Sequence, residues 1–410
     1  MEYGCIGEKL GHSFSKEIHN MLGNYRYELC ELGRNELSEF MKRADFKAIN
    51  VTIPYKEAVI PYLYCIDEGA RSIGAVNTVV NRGGKLYGYN TDFYGASMLI
   101  RHAGIEIKGK KVAILGTGGT SKTLCAVVKS LGAKEVLTVS RTPKGTEISY
   151  GEFVGAHRDT QIIVNTTPLG MYPKICDSAV DIGLFPGLTG VIDAVYNPLR
   201  SELVSAALDG GIPAEGGLYM LVAQAVMASE IFLGTKYPEG TLDRIYEKVL
   251  KEKEAIVLTG MPASGKSTVG AILKERLGLE FIDTDALIVE KVGMSIAEYF
   301  KKYGEAEFRE RESEIIREVA GVGGRIIATG GGAVLRSENI KNLKKNGKIF
   351  FIDRPLSALL PTSDRPLASD RAAIEKCYAQ RYEIYKSTAD RVIDADCDAL
   401  SVAKKIEVAR

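Results

Sequence analysis

Residues 254–279 read EAIVLTGMPASGKSTVGAILKERLGL, and within them Gly260-Met261-Pro262-Ala263-Ser264-Gly265-Lys266-Ser267 fits G-x-x-x-x-G-K-[ST] without a mismatch. An apolar, strand-like AIVLT leads in and a helix-like stretch leads out. Such a loop turns backbone N–H groups inward around phosphates, its lysine offsets charge on the β and γ positions, and its hydroxyl reaches Mg²⁺. The dipole of the following helix adds to the attraction. The expectation is an α/β domain with a parallel sheet that binds ATP or GTP. Gly260, Ala263, Ser264, Gly265, Lys266, Ser267 and Thr268 are its candidate cofactor-binding residues.

A second glycine loop lies upstream in KKVAILGTGGTSKTLCAVVKSLGA, residues 110–133. Gly116, Gly118 and Gly119 begin a dinucleotide loop, but Ser121 stands where G-x-G-x-x-G has its third glycine. The next apolar run, residues 135–139, leads to Ser140-Arg141-Thr142-Pro143-Lys144. An NAD site places an acid there for the ribose 2′-hydroxyl. Two cations and no acid favour NADP, a solvated basic turn being the alternative. Short apolar runs at 136–139, 162–165 and 190–193 alternate with helix-like stretches and predict a parallel sheet with crossover helices. The charged segment EKVLKEKE, residues 247–254, marks a junction near 250–254. The two glycine loops differ in spacing and are not an internal repeat.

The whole chain has 410 residues, more than one core of about 150 residues accommodates. Its 53 Lys+Arg nearly balance 52 Asp+Glu, which argues against a general nucleic-acid binder. No apolar run approaches the roughly 18–20 residues that span a bilayer, and MEYGCIGEKLGHSFSK does not read as a secretion signal. A cytoplasmic protein with neither membrane nor nucleic-acid partners is expected, and a homodimer is entertained. Seven cysteines form no CxxC pair and read as reduced thiols. Four dispersed histidines make a zinc site or a His-based triad a poor expectation.

Downstream of the phosphate loop, Asp283 and Asp285 are two residues apart at the end of a strand-like segment. In extended geometry they share a face, so that one could support Mg²⁺ while the other accepts a hydroxyl proton; a helix N-cap plus a solvated acid is the alternative. Arg309 and Glu312 are i,i+3 neighbours in a charged helix-like stretch, where a surface ion pair is the plain reading. ATGGGA, residues 328–333, ends a strand with three glycines that permit close backbone approach to a ligand. These pieces, with DRPL at 364–367 and QRYEIY at 380–385, resemble the shikimate kinases over 254–410. The resemblance implies that Lys266 and Ser267 handle ATP phosphates and Mg²⁺, with Asp283 also in the metal shell. It implies that Asp285, Arg309, Gly331, Gly332 and Arg381 hold shikimate, that Asp285 orients its hydroxyl, and that Arg365 closes over the transferring phosphate. One departure stands out: before the lid's RPL the family usually carries further basic residues, one packing on adenine, where residues 357–364 here read SALLPTSD.

The first hundred residues place polar groups at strand ends: GHSFSK with Ser13 and Ser15, NVTIPYK with Thr52 and Lys56, and GYNTD with Asp92. A lysine paired with a carboxylate would make a proton-transfer site beside a reducible carbonyl. With GAVNTVV, SRT, NTTPLGM, DAVYNP and LVAQA, these segments are similar to the shikimate dehydrogenases over residues 1–250. That resemblance implies a catalytic pair of Lys56 and Asp92. Ser13, Ser15, Thr52, Asn77, Asp92 and Gln224 would hold shikimate. Gly116, Gly118, Gly119, Ser140, Arg141 and Thr142 would bind NADP(H), with Met171, Tyr196 and Gly217 near the nicotinamide. The expected organisation is a substrate domain over 1–100, completed by helices of 218–250, a Rossmann-like NADP domain over 101–217, and a P-loop kinase domain over 254–410. The expected function is reduction of 3-dehydroshikimate followed by phosphorylation of shikimate. A quinate-preferring dehydrogenase half and a non-catalytic metabolite sensor are the alternatives.

Overall fold

The structure, a computed structural model, describes residues 1–11, 13–23, 25–360 and 370–410. The chain divides into two compact units, Met1–Val249 and Leu250–Arg410, with the boundary inside the helix Thr241–Lys253.

The first unit contains two sheets. One is built from β1 (Tyr3–Gly7), β2 (Tyr27–Glu31), β3 (Ala48–Val51), β4 (Cys65–Ile66), β5 (Thr78–Arg82) and β6 (Lys85–Tyr89), in the order β2-β1-β3-β5-β6-β4. β1 pairs in parallel with β2 and β3, while β5 runs antiparallel to β3 and β6. The β5–β6 turn needs two positive φ values in succession and has Gly83 and Gly84 at 61° and 84°.

The second sheet comprises β7 (Lys111–Leu115), β8 (Glu135–Ser140), β9 (Ile148–Ser149), β10 (Ile162–Asn165), β11 (Gly190–Asp193) and β12 (Ala214–Glu215). Its order is β12-β11-β10-β7-β8-β9 and every pairing is parallel. The apolar runs read as strands from the sequence are β8, β10 and β11. Helices cover both faces, so successive residues of β7 feed two cores. Val112 and Ile114 pack with Leu124 and Val127, whereas Ala113 and Leu115 pack with Phe153 and Leu203. Strand order reverses between β7 and β10, the crevice where open α/β sheets bind nucleotides. Helices Asp92–His102 and Leu218–Leu233 pack closely where Gly95 leaves no room for a side chain: a Cβ there would lie 2.7 Å from the Met220 carbonyl oxygen.

The second unit is a five-stranded parallel sheet of β13 (Ala255–Thr259), β14 (Glu280–Asp283), β15 (Arg325–Ala328), β16 (Gly347–Asp353) and β17 (Arg391–Asp394), ordered β14-β15-β13-β16-β17. Val257, Ile327 and Phe351 face the core shared with the long helix Ile296–Ala320. Ile256, Leu258 and Phe350 face the one beneath Lys266–Leu277 and Ala399–Ala409. Among the described residues no helix is long and apolar enough to cross a membrane.

Gly217 starts the helix Leu218–Leu233 directly against the chain leaving β11, and a Cβ there would overlap the Ala194 carbonyl. Backbone cannot move aside as a side chain can. Gly217→Ala is therefore expected to destabilise the first unit by about 1–3 kcal/mol. Scanning calorimetry should place its transition lower by roughly 2–4 °C per kcal/mol, with the transition of the second unit unmoved.

Candidate active sites

In the first unit the two charged residues singled out from the sequence meet. Lys56 follows β3 and Asp92 opens the helix Asp92–His102; the Lys56 Nζ donates to Asp92 Oδ2 at 2.5 Å, with side chains only 13% and 7% exposed. Around them lies a buried polar network. Asn77 Nδ2 donates to Thr91 Oγ1 at 3.0 Å and its Oδ1 accepts from the Thr91 N–H at 2.7 Å, while Gln224 Oε1 accepts from Asn77 at 3.5 Å. Asn50 joins the same network, accepting from the Tyr27 hydroxyl at 2.7 Å and donating to Thr78 Oγ1. Ser13 Oγ donates to Ser15 Oγ at 3.1 Å. Neither serine is the N-cap of the helix Ser15–Leu22, a position held by Phe14 with no capping side chain. Thr52 lies beside Gly7 at the end of β1. Tyr196, expected near the nicotinamide, packs beside Ser13 and Phe14. Its ring is 5.2 Å from that of Phe14, and burial pushes its hydroxyl up to about 12, offset in part by a hydrogen bond with Ser13.

At the strand-order reversal Gly116 has φ 110°, and a Cβ there would come 2.7 Å from Thr166 Oγ1. Ser121 fits where a third glycine was missed, because its buried hydroxyl donates back to the Gly116 carbonyl at 2.6 Å. Gly118 caps the helix Gly119–Ser130 without a side-chain partner and with open space beside it. The helix's leading N–H groups are thus available to a pyrophosphate. Gly119 lies against Lys56, since a Cβ on it would be 3.3 Å from that side chain. At the end of β8, Ser140 is buried and accepts from the Thr142 N–H, while Arg141 is exposed. Met171 is nearly half exposed, and the missing Cβ of Gly217 has a packing reason of its own.

In the second unit the loop after β13 takes positive φ at Gly260, Ala263 and Gly265, turning successive N–H groups to one side. Lys266 Nζ donates to the Gly260 and Met261 carbonyls at 2.8 and 2.9 Å, Ser264 Oγ is buried without a partner, and Ser267 and Thr268 are exposed in the first helical turn. This donor-rich cradle fits a polyphosphate. Ser267 Oγ donates to Asp283 Oδ2 at 2.6 Å, which joins the two residues expected to hold Mg²⁺.

The extended-strand reading of Asp283 and Asp285 is corrected. Asp283 ends β14 and caps the helix Thr284–Val292, its Oδ1 accepting from the N–H groups of Asp285 and Ala286; Asp285 is already helical. The carboxylates part by function because a cap residue turns toward the backbone and the next turn's residue does not. Asp285 instead reaches Gly330, where a Cβ would overlap its Oδ1.

Arg309 and Glu312 are not a surface pair: Arg309 Nη1 meets Glu312 Oε2 at 2.8 Å, and Glu312 is 1% exposed. Burial pushes the Glu312 carboxyl above its usual range, with Arg309 opposing. Arg309 also pairs with Glu305 at 3.0 Å, one residue past the break in the helix at Gly304. The guanidinium lies flat on Gly332, where any side chain would overlap it. Arg381 Nη1 and the Tyr385 hydroxyl both donate to the Gly331 carbonyl, at 3.0 and 2.5 Å. Thus Asp285, Arg309, Arg381, Gly331 and Gly332 converge. Glu312 and Tyr385 support them, and neither was assigned a role from the sequence. Arg365 lies outside the described residues.

Comparison with known proteins gives the two units their relatives. The family described as "Shikimate dehydrogenase substrate binding domain" matches residues 5–79, and that described as "Shikimate kinase" matches 262–409. A shikimate dehydrogenase (NADP(+)) of Clostridium perfringens is 38% identical over 265 residues, which are 60% of this chain and 97% of that protein. The chain belongs to the shikimate dehydrogenase family. It carries a shikimate kinase domain in the same polypeptide. Among solved structures, shikimate dehydrogenase 1 of Peptoclostridium difficile is 34% identical with a TM-score of 0.57, covering 61% of this chain and 98% of that one. A chorismate mutase/shikimate 5-dehydrogenase fusion protein of Clostridium acetobutylicum is 35% identical with a TM-score of 0.57, covering 61% and 97%.

One buried acid in the dehydrogenase unit was not read from the sequence. Asp193, at the end of β11, accepts from Ser201 Oγ at 2.5 Å, from Asn165 Nδ2 at 2.9 Å and from the Val195 N–H at 2.9 Å. Three donors favour its charged form, but complete burial outweighs them and pushes the carboxyl up to about 6. It ties the strand preceding Thr166-Thr167 to the turn carrying Tyr196. Because the folded pKa is the higher one, the native state holds this proton after the unfolded chain has lost it, between about pH 4 and 6. Asp193 thus withdraws on the order of 3 kcal/mol of stability as pH rises through that window. In Asp193→Asn this loss should vanish, so urea unfolding of the first unit at pH 4.5 and 7 should differ less than in the unchanged chain.

Proposed function

We propose that this chain catalyses two consecutive reactions: NADPH-dependent reduction of 3-dehydroshikimate to shikimate, then ATP-dependent phosphorylation of shikimate to shikimate 3-phosphate. The observation that carries the reading is the pairing in one polypeptide of a shikimate dehydrogenase and a shikimate kinase, the product of one being the substrate of the other. The domains proposed are 1–100 with helices of 218–250 for substrate, 101–217 for NADP(H), and 254–410 for the kinase.

When bound, NADPH supplies a hydride to the C3 carbonyl and ATP with Mg²⁺ supplies a phosphoryl group. Gly116, Gly118, Gly119, Ser140, Arg141 and Thr142 are the residues proposed to hold the first, with Met171, Tyr196 and Gly217 at its nicotinamide side. Gly260, Ala263, Ser264, Gly265, Lys266, Ser267 and Thr268 hold the second, with Ser267 and Asp283 at the metal. Ser13, Ser15, Thr52, Asn77 and Gln224 position 3-dehydroshikimate. The Lys56 ammonium protonates the oxygen that gains charge at C3, and Asp92 keeps that ammonium aimed. In the kinase unit Arg309 and Arg381 grip the substrate carboxylate. Asp285 accepts the proton of the attacking hydroxyl and Arg365 offsets charge on the transferring group. Glu305 must yield its place on Arg309 when the substrate carboxylate arrives.

A metabolite sensor is not favoured, since Lys56, Asp92, Lys266 and Asp285 are all in place; nor is a quinate-preferring half, the curated relatives being shikimate dehydrogenases. Supply of NADPH and ATP, and seven free cysteines that need reducing conditions, favour the cytoplasm. Light scattering on the purified chain tests a homodimer.

Lys56→Ala should lower 3-dehydroshikimate reduction by about 10²-fold or more while leaving phosphorylation of supplied shikimate intact. Lys266→Ala should do the reverse. Neither substitution affecting either rate would defeat the two-site reading. Arg141→Ala should raise the KM for NADPH about tenfold and leave that for NADH unchanged, because only the former carries the 2′-phosphate.

A further inference from the structure

The tetrapeptide Asp-Arg-Pro-Leu occurs twice, at 353–356 and at 364–367. The second copy carries Arg365; the first lies at the end of β16, a place the sequence reading passed over. β13 and β16 pair in parallel with Thr259 opposite Phe351, so the phosphate loop leaves the sheet alongside residues 352–354. A Cβ on Gly260 would lie 2.9 Å from the Ile352 carbonyl oxygen, and one on Gly265 would lie 3.9 Å from Arg354 Nη1. The Arg354 guanidinium therefore rests on the residue immediately before Lys266.

That guanidinium is uncommitted. Its Nε is buried without a hydrogen-bond partner, and among the described residues no carboxylate pairs with it. The adjacent Asp353 is taken by the Tyr382 hydroxyl at 3.0 Å, and Asp283 by Ser267. A cation with a buried, unfilled donor beside a phosphate cradle is completed by an anion. Meanwhile Ser357–Leu360, which follows at once, contains no basic residue.

We infer that Arg354 is a nucleotide-phosphate-binding residue of the kinase unit, supplying from a strand end the positive charge that residues 357–360 lack. The inference rests on the reading of this unit as ATP-binding. An arginine held by the sheet is already placed before nucleotide arrives, and its planar fork suits two phosphate oxygens at once.

The test uses the full chain with Arg354→Ala, Arg354→Gln and Arg354→Lys, titrated calorimetrically with ADP and Mg²⁺, while steady-state kinetics give the KM for ATP and for shikimate. Unaltered 3-dehydroshikimate reduction and an unshifted second-unit thermal transition confirm folding. The Ala and Gln variants should weaken ADP binding and raise the KM for ATP by about tenfold or more, with Lys intermediate and the KM for shikimate within twofold. ADP affinity within twofold of the unchanged chain in Ala and Gln would overturn the inference and leave the kinase reading intact. So would an equal loss for adenosine, measured as a competitor, because adenosine has no phosphate. A chain that binds ADP through Arg354 yet phosphorylates no shikimate would uphold Arg354 and sink the kinase reading. Failure of the unchanged chain to bind ADP would sink both.

Discussion

Parallel pairing of central strands is the constraint from which both active sites follow. When β7 pairs with β10, and β13 with β15 and β16, all the strands of a sheet deliver their carboxyl ends to one edge. The chain must turn there, and the turns lie beside one another. Gly116 is set against Thr166, and Gly260 against the end of β16, because their strands are neighbours. The glycines tolerate positive φ and near contact where any other residue would clash. The same edge receives the helix N-termini that the crossovers create, so phosphate-binding N–H groups come with the topology.

Charge is distributed over this frame with few spare partners. Lys56 and Asp92 are buried together in the dehydrogenase unit, where loss of either would strand the other's charge away from water. In the kinase unit Glu312 holds Arg309 from the buried side and Glu305 from the half-exposed side. Asp193 shows the converse: an acid kept chiefly for its geometry, binding three donors in a place that favours its proton. Asp193 ties the ends of β10 and β11 together, whereas the Arg309 pairs lie within one helix.

Much of the chemistry was legible because its residues are local in sequence. The phosphate loop, the SRT turn and the apolar strands each occupy a few consecutive positions, and their periodicity or spelling carries the physics. Asp283 and Asp285 were misjudged for the same reason that they were noticed: two acids at i and i+2 share a face only if the strand continues, and here it ends at Asp283, which caps a helix. The packing of Tyr196 on Phe14 joins segments far apart in the chain and carries no local signal. Glu312, Tyr385 and Arg354 look like ordinary members of charged or aromatic stretches until the sheet brings Gly330, Gly331 and Gly265 against them.

The sequence by itself determined the two nucleotide loops, the α/β class and the preference for NADP, because each depends on residue type at short range. Only the tertiary structure decided which carboxylate caps a helix and which packs on Gly330, that Ser121 replaces a glycine through a hydrogen bond, that Arg309 is already engaged on two sides, and that Arg354 stands at the phosphate loop. The contacts of Asp285 with Gly330 and of Arg354 with Gly265 join segments far apart in the chain, where register is set by packing whole sheets; the others are short in sequence but depend on where a strand ends and which helix face is buried.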